Sequence, residues 1–137
     1  KTLSVRMKRH NENAIAVSNY LSNHPKIEKV FFPGNDKRHK EIAEKQMDGF
    51  GGMMSFVIDS DINGVKTFLK NLNLFTLAES LGGVESLIEH PAIMTHASID
   101  PSIREKLGIS ETLLRISVGI EDVDDLISDL DQALSKI

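Results

Sequence analysis

Apolar side chains recur at Leu3, Met7, Ala14, Val17 and Leu21, a spacing that predicts a helix over residues 2–23 with one apolar face. Asn23-His24-Pro25 stops it, because proline lacks a donor and disfavours helix in the residue before it. Residues 27–32 are rich in β-branched and aromatic side chains and read as a strand ending at the Pro33-Gly34 turn. Residues 37–47 are polar and free of Pro and Gly, as in an exposed helix. After Gly49-Phe50-Gly51-Gly52, residues 53–58 read as a buried strand. Asp59-Ser60-Asp61 then offers caps for a helix carrying Val65, Phe68, Leu69 and Leu72. Residues 74–78 form a second short apolar run, read as a strand. Residues 84–98, with Pro91 and two histidines, are expected to be a turn and an irregular loop. A short helix at 101–107 has Pro in its first turn and ends at Gly108. Residues 112–118 predict a strand. Asp122 is placed to cap a final helix with its apolar stripe at Val123, Leu126, Ile127, Leu130, Leu134 and Ile137.

This order is α/β, with about four strands and helices on one face of a small sheet. The 137 residues suit one domain, 1–137. The chain has no cysteine, so disulfides and thiolate metal sites are excluded. Its net charge of −4, with acids and bases intermixed, lacks the basic stripe of a nucleic-acid or anionic-membrane binder. No apolar run approaches the roughly 20 residues of a membrane span, and the start carries no signal-peptide pattern. A cytoplasmic location is expected. Lys1-Thr2-Leu3 opens straight into helix-like sequence, and the chain reads as part of something larger.

The most informative residue is Arg115, in the middle of the apolar run Leu113-Leu114-Arg115-Ile116-Ser117-Val118. Strand alternation puts Leu114, Ile116 and Val118 on one face and Leu113, Arg115 and Ser117 on the other. A guanidinium held there needs a partner, because an isolated buried charge costs several kcal/mol or more. Two readings stand: an internal ion pair with a glutamate such as Glu79 or Glu85, or a ligand carboxylate gripped by the planar fork. Glu79-Ser80-Leu81-Gly82-Gly83 is the second feature, a hydroxyl beside glycines that let backbone amides approach an anion; alone, it also describes a plain turn. Gly49-Phe50-Gly51-Gly52 lacks the Gly-Lys-Ser/Thr ending of a phosphate loop and is read as structural. His10, His24, His39, His90 and His96 form no metal-ligating pair on a helix, and no metal is expected. A Gly-x-Ser-x-Gly nucleophile elbow is absent.

At these same residues the chain resembles a family. Residues 77–87, running Leu-Ala-Glu-Ser-Leu-Gly-Gly-Val-Glu-Ser-Leu, resemble the C-terminal signature of the Cys/Met-metabolism pyridoxal-phosphate (PLP) enzymes of transsulfuration. The resemblance continues through Pro91-Ala92-Ile93-Met94-Thr95-His96-Ala97, Gly108-Ile109, 114–122 and 125–134, and covers essentially the whole chain. It is strongest to the members that act at the γ-carbon of cystathionine, the γ-lyases and γ-synthases. The resemblance implies the small C-terminal domain of a fold type I, aspartate-aminotransferase-like enzyme, with residues 1–25 a helix leading in from a PLP-binding large domain. It implies that Arg115 and Ser80 hold the substrate α-carboxylate, that Glu79 attracts the far ammonium group of cystathionine, and that Thr95 faces the active site. PLP would serve as electron sink for γ-elimination or γ-replacement. The family's Schiff-base lysine, in a Ser-x-Thr-Lys context, and its phosphate-binding and ring-stacking residues have no counterpart in this chain. The resemblance therefore implies no catalytic or cofactor-binding residue here, and no activity from this chain alone. A sulfur amino acid and a homotetramer are the implied partners. The competing expectations are a stand-alone amino-acid-binding module and a silent fragment.

Overall fold

A computed structural model describes residues 1–137, apart from the side chain of Arg38. The order of elements is α1 (Leu3–Ser22), β1 (Ile27–Phe31), α2 (Lys37–Gln46), β2 (Met53–Ile58), α3 (Ile62–Lys70), β3 (Thr76–Leu77), β4 (Leu87–Glu89), α4 (Pro101–Lys106), β5 (Leu113–Ser117) and α5 (Val123–Leu134). The strands form one five-stranded sheet in the order β1-β2-β5-β4-β3. Every neighbouring pair is antiparallel except β3 with β4, which is parallel. The α/β alternation holds. The addition is β4, three residues inside the stretch expected to be irregular, so the sheet has five strands rather than about four.

Caps explain where the helices begin. Asp36, Asp61, Asp100 and Asp122 each accept backbone N–H bonds from the first turn of α2, α3, α4 and α5. These bonds satisfy donors that the helix itself cannot.

The two faces of the sheet differ in chemistry. Met54, Phe56, Ile58, Ile88, Leu114 and Ile116 point to one face and pack against Ala14, Val17 and Leu21 of α1, Val65 and Phe68 of α3, and Leu126, Leu130, Ala133 and Leu134 of α5. Phe56 and Phe68 meet edge to face, with centroids 6.2 Å apart. Each such leucine or phenylalanine contributes about 1.5–3 kcal/mol by leaving water. Leu3 and Met7, expected on the inner face of α1, are exposed; burial begins at His10 and the apolar core at Ala14.

Polar groups pin the chain around this core. In α5, Asp129 accepts from three consecutive backbone amides, Asn73 (2.8 Å), Leu74 (2.8 Å) and Phe75 (3.1 Å), where the chain leaves α3 for β3. In α1, His10 donates from Nδ1 to the Val118 carbonyl (2.6 Å), and Asn13 donates to the carbonyls of Gly119 (3.0 Å) and Glu121 (2.9 Å). That segment in turn holds the loop before β4. Glu121 accepts from the Ser86 amide (2.6 Å) and hydroxyl (2.9 Å), while the Ser86 hydroxyl accepts from the Gly119 amide (2.8 Å). Gly119 must be glycine here, because a Cβ would strike the Val84 carbonyl oxygen. Ser86 is fully buried. Ser86→Ala is therefore expected to cost about 1–3 kcal/mol in chemical denaturation, chiefly by stranding the Gly119 amide.

Candidate functional site

The sheet face opposite the core carries Ser55, Ser117, Glu89 and Arg115, by the alternation of β2, β4 and β5. Arg115 lies on the central strand β5, opposite Ser55 on one side and Glu89 on the other. Its Nη2 sits 2.9 Å from Oε2 of Glu89. Glu89 is almost fully enclosed, its side chain 2% exposed, whereas that of Arg115 is 28% exposed. The approach is an ion contact bent away from a linear hydrogen bond; Oε2 has no other partner among the described residues. An internal pair thus exists, but its acid is Glu89. Glu79 and Glu85, the glutamates expected from sequence, do not pair with Arg115. The β4–β5 register decides this, since Glu89 is the residue cross-strand from Arg115.

The pair does not use up the guanidinium. A guanidinium has five N–H donors, and Glu89 is the one ion-pair partner of Arg115 among the described residues. The group is partly open to solvent, at 28% exposure. One planar cation is thus paired with Glu89 while staying partly exposed, and its fork suits bidentate carboxylate recognition.

Glu79 and Ser80 follow β3, in the loop leading to β4, and both are exposed. Neither side chain has a hydrogen-bond or ion-pair partner among the described residues. The loop is anchored to the Arg115 face. The Gly82 amide donates to the hydroxyl of Ser117, two residues along β5 from Arg115 (2.8 Å). Gly82 has φ +75°, a conformation open to glycine at little steric cost. Gly82, two residues after Ser80, therefore lets the loop turn back onto β5.

Thr95 lies on the same side. Its hydroxyl donates to Oε1 of Glu89 (3.3 Å) and also meets Nδ1 of His96 (2.7 Å). Arg115 and Thr95 are thus joined through Glu89, a residue to which sequence reasoning gave no role. The signal available was a lone acid in the apolar context Leu87-Ile88-Glu89-His90. His90 points away and donates from Nε2 to the Glu111 carbonyl (2.8 Å). Burial is the chief reason its pKa falls below the usual histidine value.

A covalent PLP linkage on this face would need a lysine amine. Lys29 reaches it from the edge strand β1, but its ammonium lies over the Phe31 ring, 4.6 Å from the centroid. No strand residue beside Arg115 is a lysine. The residues around Arg115 fit a carboxylate ligand and do not fit a cofactor joined through an amine.

Known proteins match along nearly the whole chain. A cystathionine gamma-lyase of Dictyostelium discoideum is 55% identical over 138 residues, covering 99% of this chain and 35% of the relative. A cystathionine beta-lyase of Coxiella burnetii is also 55% identical, covering 98% of this chain and 35% of the relative. The crystal structure of a cystathionine gamma synthase from Xanthomonas oryzae pv. oryzae in complex with cystathionine superposes with a TM-score of 0.93 at 47% identity, over 98% of this chain and 35% of that one. The chain thus spans about a third of the length of the relatives it matches. The family described as Cys/Met metabolism PLP-dependent enzyme matches residues 1–135, and the chain belongs to it.

Proposed function

We propose that this chain forms the carboxylate-recognition part of a PLP-dependent enzyme that cleaves cystathionine by γ-elimination, releasing cysteine, 2-oxobutanoate and ammonia. The observation that carries this reading is Arg115 at the centre of the sheet face opposite the packed helices, paired with Glu89 yet partly exposed. In this reading the open edge of the guanidinium takes the substrate α-carboxylate. Ser80, on a loop tied to the same strand, donates its hydroxyl to that carboxylate. Glu79, exposed beside it, attracts the far ammonium group of the substrate. Thr95 contributes from the side of Glu89. Holding the carboxylate at fixed points limits rotation of the substrate, so that its α-hydrogen meets the base in one orientation.

β-Elimination is the second reading, favoured by the Coxiella relative being as similar as the Dictyostelium one. γ-Replacement is a third, favoured by the Xanthomonas structure. Full-length protein incubated with cystathionine separates them. The proposal expects 2-oxobutanoate with cysteine. Pyruvate with homocysteine would make it a β-lyase. Cystathionine formed from cysteine and an activated homoserine ester, with little cleavage, would make it a synthase. A homotetramer in the cytoplasm belongs to the same proposal, and sedimentation of the full-length protein tests the assembly.

A further inference from the structure

We infer that Glu89 is a positioning residue that aims the Arg115 guanidinium at its ligand, and that Thr95 holds Glu89 in place; this rests on the reading of Arg115 as the carboxylate site. Three observations support it. Glu89 is enclosed at 2% exposure, so its carboxylate cannot swing out to water. Its two oxygens are divided: Oε2 contacts Nη2 of Arg115 at 2.9 Å, and Oε1 accepts from the Thr95 hydroxyl at 3.3 Å. The Thr95 hydroxyl has a single hydrogen, which goes to Glu89. The 2.7 Å contact with His96 therefore requires Nδ1–H of His96 to donate to Thr95. Thr95 thus donates to Glu89 from one side, and the guanidinium meets the same carboxylate from the other.

The direction of these contacts matters. Each link fixes the next group from outside the ligand position, so none of the three competes for the exposed edge of Arg115. A long arginine side chain carries many rotamers, and without a brace the guanidinium would sample several of them. With one Nη held against an enclosed carboxylate, the plane of the fork is set before a ligand arrives. Preorganisation of this kind improves binding by reducing what must be ordered on association. In this inference Thr95 acts through Glu89, to which its hydroxyl donates.

The test uses full-length holoenzyme and measures binding by calorimetry. The probes are L-alanine, which has no β or γ leaving group, and L-alaninamide, which lacks the carboxylate. The ratio of their Kd values reads the carboxylate-specific part of recognition. Glu89→Gln is expected to shrink that ratio about tenfold relative to wild type, as a displaced clamp does. Thr95→Val should shrink it about threefold, and Thr95→Ser should restore it. Because Glu89→Gln alters an enclosed group, thermal denaturation of both variants is followed in parallel, and the exposed Thr95 provides the variant that leaves the fold intact. A fall in thermal stability with the ratio unchanged in both variants overturns the proposal and makes Glu89 a structural brace only. A larger ratio in Glu89→Gln also overturns it, since Glu89 would then compete with the ligand for Arg115. Arg115→Lys serves as the separate control: if it leaves the ratio at the wild-type value, the underlying carboxylate reading is the one that fails.

Discussion

Arg115→Ala in the full-length protein is expected to lower kcat/KM for an amino-acid substrate by about 2–5 kcal/mol of lost recognition, roughly 30- to 5,000-fold. The same substitution strands the Glu89 carboxylate at 2% exposure, which should cost about 3–5 kcal/mol of stability. The two losses have different origins, and the alanine variant alone mixes them. Arg115→Lys separates them. An ammonium can still meet Glu89, so most of the stability should return. The planar fork does not return, and kcat/KM should stay depressed by about ten- to a hundredfold. Steady-state kinetics on both variants, beside their thermal denaturation, provide the check. Wild-type kinetics in the lysine variant would reduce Arg115 to the internal partner of Glu89.

Asp129→Ala is expected to remove about 3–5 kcal/mol of folding stability without touching the site. One carboxylate satisfies the amides of Asn73, Leu74 and Phe75, and each buried donor left bare costs about 1–3 kcal/mol, with the more exposed end regaining water. Burial works to raise the Asp129 pKa, but the three amides and Gln132 outweigh it and hold the group below the usual carboxylate value. The sign follows directly. Ionised Asp129 adds stability that is complete above about pH 4, the unfolded value, and fades as pH falls toward the lower folded value. Urea titrations at pH 7 and pH 3 should therefore show the gap between wild type and Asp129→Ala narrowing in acid. His90 adds a loss of its own at higher pH. Its folded pKa lies below the unfolded value near 6.5, so stability declines as pH falls through that value, equally in wild type and variant. A gap that stays constant with pH would mean that Asp129 acts by shape and not by charge.

The sequence allowed Arg115 to be singled out because a charge in the middle of an apolar strand conflicts with its surroundings. Its partner was not legible. Glu79, Glu85 and Glu89 all lie within one stretch, and only the cross-strand register selects Glu89. β4 escaped for a related reason: three residues ending in an acid, followed by His90-Pro91, are too few to show a period of two. His10 and Asn13 lie outside the apolar positions that marked α1, yet both are buried and hold the segment that supports the loop before β4. A buried polar side chain and a solvated one look alike along the chain until the carbonyls they serve are known. By contrast, α5 was legible almost to the residue, because Leu126, Leu130 and Leu134 repeat at helical spacing behind an aspartate cap.

The first and last helices close the core together. Beyond the apolar contact of α1 with α5, His10 reaches Val118, Tyr20 reaches Asp131 (2.7 Å), and Lys26 reaches the carbonyls of Leu134 and Ile137. Contacts this distant in sequence are slow to form, because the loop entropy must be lost before they return anything. On a ribosome, α1 emerges with β1 and β2 well before α5, so the sheet can cover only part of Ala14, Val17 and Leu21 until the last helix is made. The core is therefore completed as a late event of synthesis, and until α5 is released the uncovered part of that apolar stripe is a surface on which a chaperone can act.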